Sequence, residues 1–166
     1  MTGGKIRRLS FLRFSDLLAF YPSYLLTKSG NEHLGGIMDD KQKTKILILD
    51  DEPIVLKRLK PALEKSGYDV EAFSRSLEAS NRILEQNFDI VITDLKMEGL
   101  DGMEFLTQVK ERSPETEVIV ITGFATMETA KESFKKGVFD FLAKPFKLGE
   151  IKEVVAKAER KIKEKR

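Results

Sequence analysis

The chain has 166 residues, 41% hydrophobic and 34% charged, which is enough for one soluble domain with an appended segment. The formal net charge of +2 gives no electrostatic footprint for nucleic acid, and the lack of cysteine excludes disulfide frameworks and thiol chemistry. No apolar run approaches the ~20 residues that a membrane-spanning helix needs, so we expect no membrane span.

The first 40 residues differ in pattern from the rest of the chain. Residues 5–22 mix basic and bulky apolar side chains, but Arg13 and Asp16 interrupt the apolar part and no small-residue cleavage site follows, so a signal peptide is not indicated. Residues 29–36 have the glycine-rich, polar composition that is typical of a flexible linker. We therefore predict a poorly ordered extension or linker over residues 1–40.

The folded domain is predicted to occupy residues 41–166. Met38 opens a conventional-looking start, Met-Asp-Asp-Lys-Gln-Lys-Thr, directly before the first predicted strand. Two interpretations of residues 1–37 therefore stay open. They are either a native extension outside the folded unit or an upstream misreading of the start of the protein.

From Lys45 onward, strand and helix patterns alternate five times. The strand segments are short runs rich in β-branched residues, whereas the helix segments carry apolar residues three and four positions apart. Strands are predicted at residues 45–49, 68–73, 90–93, 118–121 and 138–143, and helices at residues 52–65, 76–86, 103–112, 126–136 and 151–162. Five such βα units predict an α/β fold, namely a five-stranded doubly wound parallel sheet with right-handed crossovers and helices on both faces.

Polar or charged side chains stand at the carboxyl ends of four of these strands. Asp50 and Asp51 follow the first strand, and Asp94 follows the third. The fourth strand reaches Thr122, and the fifth stops at Lys144. Because open α/β sheets bind their ligands at the carboxyl ends of the strands, we expect these five residues to share one site.

The chemistry of these residue types points to phosphoryl transfer. Three crowded carboxylates repel one another, and a hard divalent cation such as Mg²⁺, held by carboxylates and water, relieves that repulsion. A fixed positive charge from Lys144 and a hydroxyl from Thr122 would cradle phosphoryl oxygens while an aspartate oxygen attacks phosphorus. Taken singly, Asp50 and Asp51 are explained as caps of the first helix. Their coincidence with polar residues at three other strand ends favours a site.

Residues Lys45 to about Lys163 resemble the receiver domain of bacterial two-component response regulators. Four motifs carry the resemblance: Leu49-Asp-Asp-Glu-Pro, Thr93-Asp-Leu-Lys-Met-Glu-Gly-Leu-Asp-Gly, Ile121-Thr-Gly-Phe-Ala and Phe141-Leu-Ala-Lys-Pro-Phe. The resemblance implies a flavodoxin-like (βα)5 fold with strand order 2-1-3-4-5. It also implies a phosphoacceptor with slow self-dephosphorylation rather than an enzyme. Glu98 departs from the family pattern, which commonly has proline there, and this puts the rigidity of that loop in question.

Carried over position by position, the resemblance assigns the phosphorylation chemistry. Asp94 is similar to the phosphoacceptor, and Asp50 and Asp51 to the metal-binding acidic pair. The backbone carbonyl of Lys96 would complete the shell of Mg²⁺. Lys144 is similar to the phosphate-binding lysine, with an expected cis peptide bond to the proline that follows it.

The resemblance also assigns switching and lifetime roles. Thr122 is similar to the switch hydroxyl, and Phe141 to the aromatic residue that changes rotamer with it. Lys96 and Phe124 stand two residues after Asp94 and Thr122, beside the path of an attacking water. A lysine and an aromatic residue at these positions are similar to those of sporulation phosphorelay receivers, so we expect them to prolong the lifetime of the phosphorylated form.

We expect a stand-alone, cytoplasmic receiver that accepts a phosphoryl group from a histidine kinase or phosphotransfer protein. Its output would run through a downstream protein target that contacts helix four, strand five and helix five. No direct nucleic-acid binding is expected, because only the basic tail 161–166 follows helix five and it is too short for a helix-turn-helix. The alternative roles are a phosphorelay intermediate and the detached receiver of a larger regulator.

Two other protein classes use a similar strand-end site. Haloacid dehalogenase-type enzymes also use a strand-end aspartate, but they carry a second aspartate two residues after the nucleophile, where this chain has Lys96. A flavodoxin-like FMN protein would need a hydroxyl- and glycine-rich phosphate loop after the first strand. The acidic run at residues 50–52 would repel that phosphate. Both classes are therefore less favoured than a receiver.

Overall fold

The structure is a computed structural model, and it describes residues 43–97 and 101–166. Residues 1–40 and Glu98 lie outside the described residues. The poorly ordered extension and the effect of Glu98 on the rigidity of its loop therefore stay predictions. Within the described parts of the chain, no helix is long and apolar enough to cross a membrane.

Strand and helix alternate five times, as the sequence predicts. The strands are β1 (Lys45–Leu49), β2 (Asp69–Phe73), β3 (Ile90–Thr93), β4 (Glu117–Thr122) and β5 (Val138–Ala143). The helices are α1 (Pro53–Glu64), α2 (Ser76–Glu85), α3 (Gly102–Arg112), α4 (Met127–Lys135) and α5 (Leu148–Lys165). Most predicted boundaries agree within one or two residues, and the largest differences are at the two ends of α5.

The five strands form one parallel sheet in the order β2-β1-β3-β4-β5. The register places Ile48 of β1 beside Ala72 of β2 and beside Ile92 of β3. Each strand points its carboxyl end to the same edge of the sheet because all the pairs are parallel. The predicted doubly wound fold and its strand order are therefore confirmed.

The core lies on both faces of the sheet. Alternate residues of β1 face opposite ways, as the two-residue period of a strand requires. Ile46 and Ile48 pack in one cluster with residues of α1 and α5, whereas Leu47 and Leu49 pack in a second cluster with residues of α2 and α3. Burial on both faces explains why β1, β3 and β4 read as continuous apolar runs rather than alternating ones.

The last helix, α5, is longer than the helix that the sequence predicts over residues 151–162. Residues 161–166 are predicted as a basic tail, but α5 continues to Lys165. Ile162, which the predicted helix already included, is buried four residues after Ala158, as the apolar stripe requires. Lys161 and Lys165 lie 2.8 and 3.5 Å from a carboxylate oxygen of Glu117. The basic residues thus belong to the folded domain, because one apolar contact and one buried counter-charge hold them there.

Candidate functional site

Two neighbouring strands deliver the first two carboxylates of the site. Leu49, the last residue of β1, is aligned with Thr93, the last residue of β3. The backbone pairing continues beyond the strands, since the N–H of Asp94 donates to the carbonyl of Leu49 at 3.0 Å and that of Asp50 donates to Phe73 at 3.1 Å. This pairing fixes where the side chains of Asp50 and Asp94 leave the sheet.

An acidic cluster forms where these strands end. Asp50, Asp51 and Asp94 each offer a carboxylate oxygen within 4.8 Å of the others. Asp50 and Asp94 are buried, whereas Asp51 is exposed. One oxygen of Asp50 accepts a hydrogen bond from the N–H of Glu52 at 2.9 Å, and one oxygen of Asp94 accepts from the N–H of Lys96 at 3.1 Å.

Lys144 lies among three carboxylates. Its ammonium nitrogen is 2.8 Å from Asp50 Oδ2, 2.8 Å from Asp94 Oδ2 and 2.7 Å from Glu52 Oε1. The backbone places it there, since the N–H of Lys144 donates to the carbonyl of Thr122 at 2.8 Å. The expected cis peptide bond to Pro145 is present.

Burial and pairing act against each other at this site. Burial alone would lower the pKa of Lys144, but its hydrogen bonds to Asp50, Asp94 and Glu52 outweigh burial and raise that pKa, so the ammonium stays charged. Burial raises the pKa of Asp50, and the contacts with Lys144 and the N–H of Glu52 oppose this rise only in part. The buried carboxylate therefore carries an electrostatic cost that another cation would relieve.

The donor set fits Mg²⁺. Asp50 Oδ2 is buried, and the Lys144 ammonium at 2.8 Å is the contact that offsets its charge among the described residues. Three clustered carboxylates provide the hard oxygen ligands that Mg²⁺ prefers. Asp50, Asp51 and Asp94 would hold the ion. Participation of the Lys96 carbonyl stays a prediction.

The two residues predicted as the switch lie on neighbouring strands. Thr122 is buried at the end of β4, and its hydroxyl oxygen accepts a hydrogen bond from the N–H of Phe124 at 3.2 Å. Phe141 of β5 is half-buried and packs against the apolar cluster that contains Val118 and Val120. Their coupled movement stays a prediction.

The two residues predicted to control lifetime contact one another. The ammonium of Lys96 lies 4.0 Å from the centre of the Phe124 ring, within the range of a cation–π interaction. The ring itself is 53% exposed. The structure thus brings together side chains that stand on different loops, one after β3 and one after β4.

Two residues of the site escaped the sequence analysis. Glu52 appeared there only as the start of α1 and as part of an acidic run, but its carboxylate binds Lys144. Gly102 appeared only as the last residue of a quoted motif, but a methyl group added there would lie 2.0 Å from the carbonyl oxygen of Asp94. Three consecutive acidic residues were a signal for the first, whereas nothing local in the sequence signals the second.

A groove opens beside the lysine. It has a volume of about 380 Å³, and its lining includes Ile54, Arg58, Gly123, Lys144, Pro145 and Phe146. Because Lys144 and Glu52 both line it, the groove borders the lysine that contacts the acidic cluster.

Comparison with known proteins identifies the family. The response regulator receiver domain family matches residues 46–156. The response regulator protein PilR of Pseudomonas aeruginosa is 34% identical over 116 residues, which are 70% of this chain and 26% of PilR. The chain spans between a quarter and a half of the length of the curated relatives that it matches.

Solved structures agree with this match. A CheY-like receiver domain protein from Methanospirillum hungatei superposes with a TM-score of 0.72 at 26% identity, covering 75% of this chain and 99% of that one. The beryllofluoride-activated NtrC4 receiver domain dimer superposes with a TM-score of 0.68 at 34% identity, covering 72% and 98%. The chain therefore belongs to the response regulator receiver domain family of two-component systems, whose members are aspartate phosphoacceptors rather than catalytic enzymes.

Proposed function

We propose that this chain accepts a phosphoryl group on Asp94 in the presence of Mg²⁺ and then changes a protein-binding face. One observation carries the proposal: a buried carboxylate lies between a lysine ammonium at 2.8 Å and two further aspartates within 4.8 Å. A nucleophilic carboxylate needs both a source of positive charge for the phosphoryl oxygens and relief from its acidic neighbours. This edge of the sheet provides the first through Lys144 and the second through a cation site.

Each residue has a separate task in the transfer. A carboxylate oxygen of Asp94 forms a bond to phosphorus while the bond from phosphorus to the donor breaks, and the donor atom keeps that electron pair. Lys144 donates hydrogen bonds to the phosphoryl oxygens, and the Thr122 hydroxyl is the second donor from this chain. Mg²⁺, when bound, neutralises charge on the phosphoryl group and on the aspartates.

The donor is a histidine kinase or a phosphotransfer protein. Family membership supports a kinase partner, and the groove beside Lys144 supports approach from the side of Gly123, where a β-carbon would meet nothing within 4 Å. A phosphohistidine can enter there without displacing a side chain at residue 123. The cytoplasmic location and the stand-alone role remain predictions, since the chain spans only part of its relatives.

The output face is built from α4, β5 and α5. Among the residues of α4 only Ser133 is buried, so this helix can shift at a small cost in packing. Bulky apolar side chains also face solvent on α4 and the loop before it, namely Phe124, Met127 and Phe134. A loosely held helix with exposed apolar side chains supports a protein target rather than DNA as the output.

A role as a phosphorelay intermediate is the second candidate. The contact between Lys96 and Phe124 favours it, because a lysine held two residues after Asp94 by an aromatic ring would hinder the placement of an attacking water. A protonated lysine gives no general-base assistance to an attacking water. A slow loss of phosphate would suit a relay, which must hold the group until the next protein arrives.

Phosphorylation by acetyl phosphate tests the proposal. The wild-type chain is incubated with acetyl phosphate and Mg²⁺, and the modified residue is mapped by mass spectrometry. We expect one phosphoryl group on Asp94, none after Mg²⁺ is chelated, and none in Asp94→Asn. Asp69→Asn, which changes an exposed aspartate at the start of β2, is the matched control and should behave as wild type. Full modification of Asp94→Asn would overturn the assignment.

A further inference from the structure

Glu52 directs its side chain away from the helix that it begins. It is the N-cap residue of α1, but its carboxylate makes no capping hydrogen bond. The backbone satisfies the first turn instead, since the carbonyl of Glu52 accepts a hydrogen bond from the N–H of Val55 at 3.0 Å. The carboxylate instead lies 2.7 Å from the ammonium of Lys144. A residue that does not cap thus holds a charge contact with the phosphate-binding lysine.

The three carboxylates around Lys144 differ in burial. The side chain of Asp50 is fully buried and that of Asp94 is 6% exposed, whereas that of Glu52 is 54% exposed. A lysine ammonium has three N–H donors, and three carboxylates already lie within contact of it. A phosphoryl oxygen must therefore compete with these carboxylates for the donors of Lys144.

Glu52 is the partner that can leave at the smallest cost. Water solvates its half-exposed carboxylate as soon as the contact breaks, and such exposed pairs contribute little to stability. Asp50 would be left as a buried charge without its lysine, which is far more costly. Asp94 stays in place because the phosphoryl group is bonded to it, but the bonded oxygen then binds Lys144 more weakly than a carboxylate oxygen does.

We propose that Glu52 is an exchangeable counter-ion, which occupies one donor of Lys144 in the unphosphorylated protein and gives it up to a phosphoryl oxygen. This inference rests on the function proposed above. The carboxylate of Glu52 therefore competes with the phosphoryl group for Lys144 and repels it. Neutralising this carboxylate should strengthen binding of a phosphoryl-like anion, whereas a residue that merely holds Lys144 in place would weaken binding when it is neutralised.

Beryllofluoride, an anionic mimic of the phosphoryl group, provides the test. Its dissociation constant is measured at fixed Mg²⁺ by nuclear magnetic resonance for wild type, Glu52→Gln and Glu64→Gln. Glu64 is the matched control, because it is a half-exposed glutamate on the same helix that is paired with Lys60. We expect Glu52→Gln to bind about three- to fivefold tighter, the upper part of the range for an exposed ion pair, and Glu64→Gln to match wild type.

The outcomes separate this inference from the proposed function. If wild type does not bind beryllofluoride, or if Asp94→Asn binds it equally well, the proposed function fails. If wild type binds through Asp94 but Glu52→Gln binds equally or more weakly, only the role of Glu52 is overturned. Thermal unfolding of each variant shows that a changed affinity does not come from a damaged fold.

Discussion

Buried charges are paired in opposite ways at the edge where the strands begin (the amino edge) and at the edge where they end (the carboxyl edge). At the amino edge, the buried carboxylate of Glu117 meets two lysines of α5, Lys161 at 2.8 Å and Lys165 at 3.5 Å. At the carboxyl edge, the single ammonium of Lys144 meets three carboxylates within 2.8 Å. At the amino edge, therefore, two cations contact one acid. At the carboxyl edge, one cation contacts three acids.

This difference separates structural charge from functional charge. An acid that is paired with cations stabilises the native packing, and Glu117 ties the last turns of α5 to the start of β4 in this way. An excess of acid opposes folding until a ligand supplies the missing positive charge. The excess of acid at the carboxyl edge therefore supports the cation and phosphoryl site proposed above, and it should lower the stability of the unliganded chain.

The largest effect is expected where the backbone packs most closely at the carboxyl edge. Gly102→Ala should lower the free energy of unfolding by about 2 kcal/mol, because the added methyl group would collide with the carbonyl of Asp94. Gly149→Ala in α5 is the control, since nothing lies within 4 Å of its added methyl group. Urea unfolding measures both. Equal stability of the two variants would show that the loop after Asp94 adapts freely.

Removing one cation from the amino edge should give the next largest loss. Lys161→Gln should lower the free energy of unfolding by about 1 kcal/mol, less than for a fully buried pair, because Lys165 still reaches Glu117. Lys163→Gln is the control, since its pair with Glu159 is an exposed i, i+4 contact of small value. If both substitutions cost the same, the amino edge does not stabilise the fold through Glu117.

Removing an acid from the carboxyl edge should raise the free energy of unfolding rather than lower it. Without divalent cations, Asp50→Asn should raise the free energy of unfolding at pH 7 by about 1 kcal/mol, the size typical of relieving a functional site. Burial raises the pKa of Asp50, so protonation of this carboxylate favours the folded state. That stabilisation is fully present below the ordinary pKa of 3.8 and is lost as pH rises through the raised pKa. The gain in Asp50→Asn should therefore shrink at low pH. A loss of stability at pH 7 would contradict the account.

The smallest effect concerns the lifetime of the phosphorylated form. Lys96→Asn combined with Phe124→Glu should speed the decay of phosphorylated Asp94 about two- to fivefold, the factor that loss of one exposed cation–π contact gives. The decay is followed after removal of the phosphoryl donor. Lys131→Asn, which changes an exposed lysine of α4, is the control. An unchanged decay rate would remove the support for a relay.

The sequence predicts the position of the site well for a physical reason. Parallel strands buried on both faces leave continuous apolar runs, and each run ends where its strand ends. Asp50, Asp94, Thr122 and Lys144 are therefore readable as neighbours at one edge before any contact is known. The strand order and the alternation of helices follow from the same pattern together with the family resemblance.

The sequence does not predict contacts that depend on side-chain direction or on distant parts of the chain. Nothing local shows that Glu52 turns toward Lys144, since the two are 92 residues apart. The prediction leaves Glu117 out of β4 because a charged residue is not expected in a buried strand. Its burial depends on a lysine of α5, which is distant in the sequence. The collision at Gly102 likewise depends on how α3 approaches the end of β3.

The dependence of stability on Mg²⁺ tests the central claim most directly. Urea unfolding is measured with and without Mg²⁺ for wild type, Asp51→Asn and Lys161→Gln. With Mg²⁺ at about ten times its dissociation constant, wild type and Lys161→Gln should each gain about 1.4 kcal/mol, although Lys161→Gln starts from a lower stability. Asp51→Asn should gain little or nothing. An equal gain in all three variants, or no gain in wild type, would contradict a cation site at the carboxyl edge.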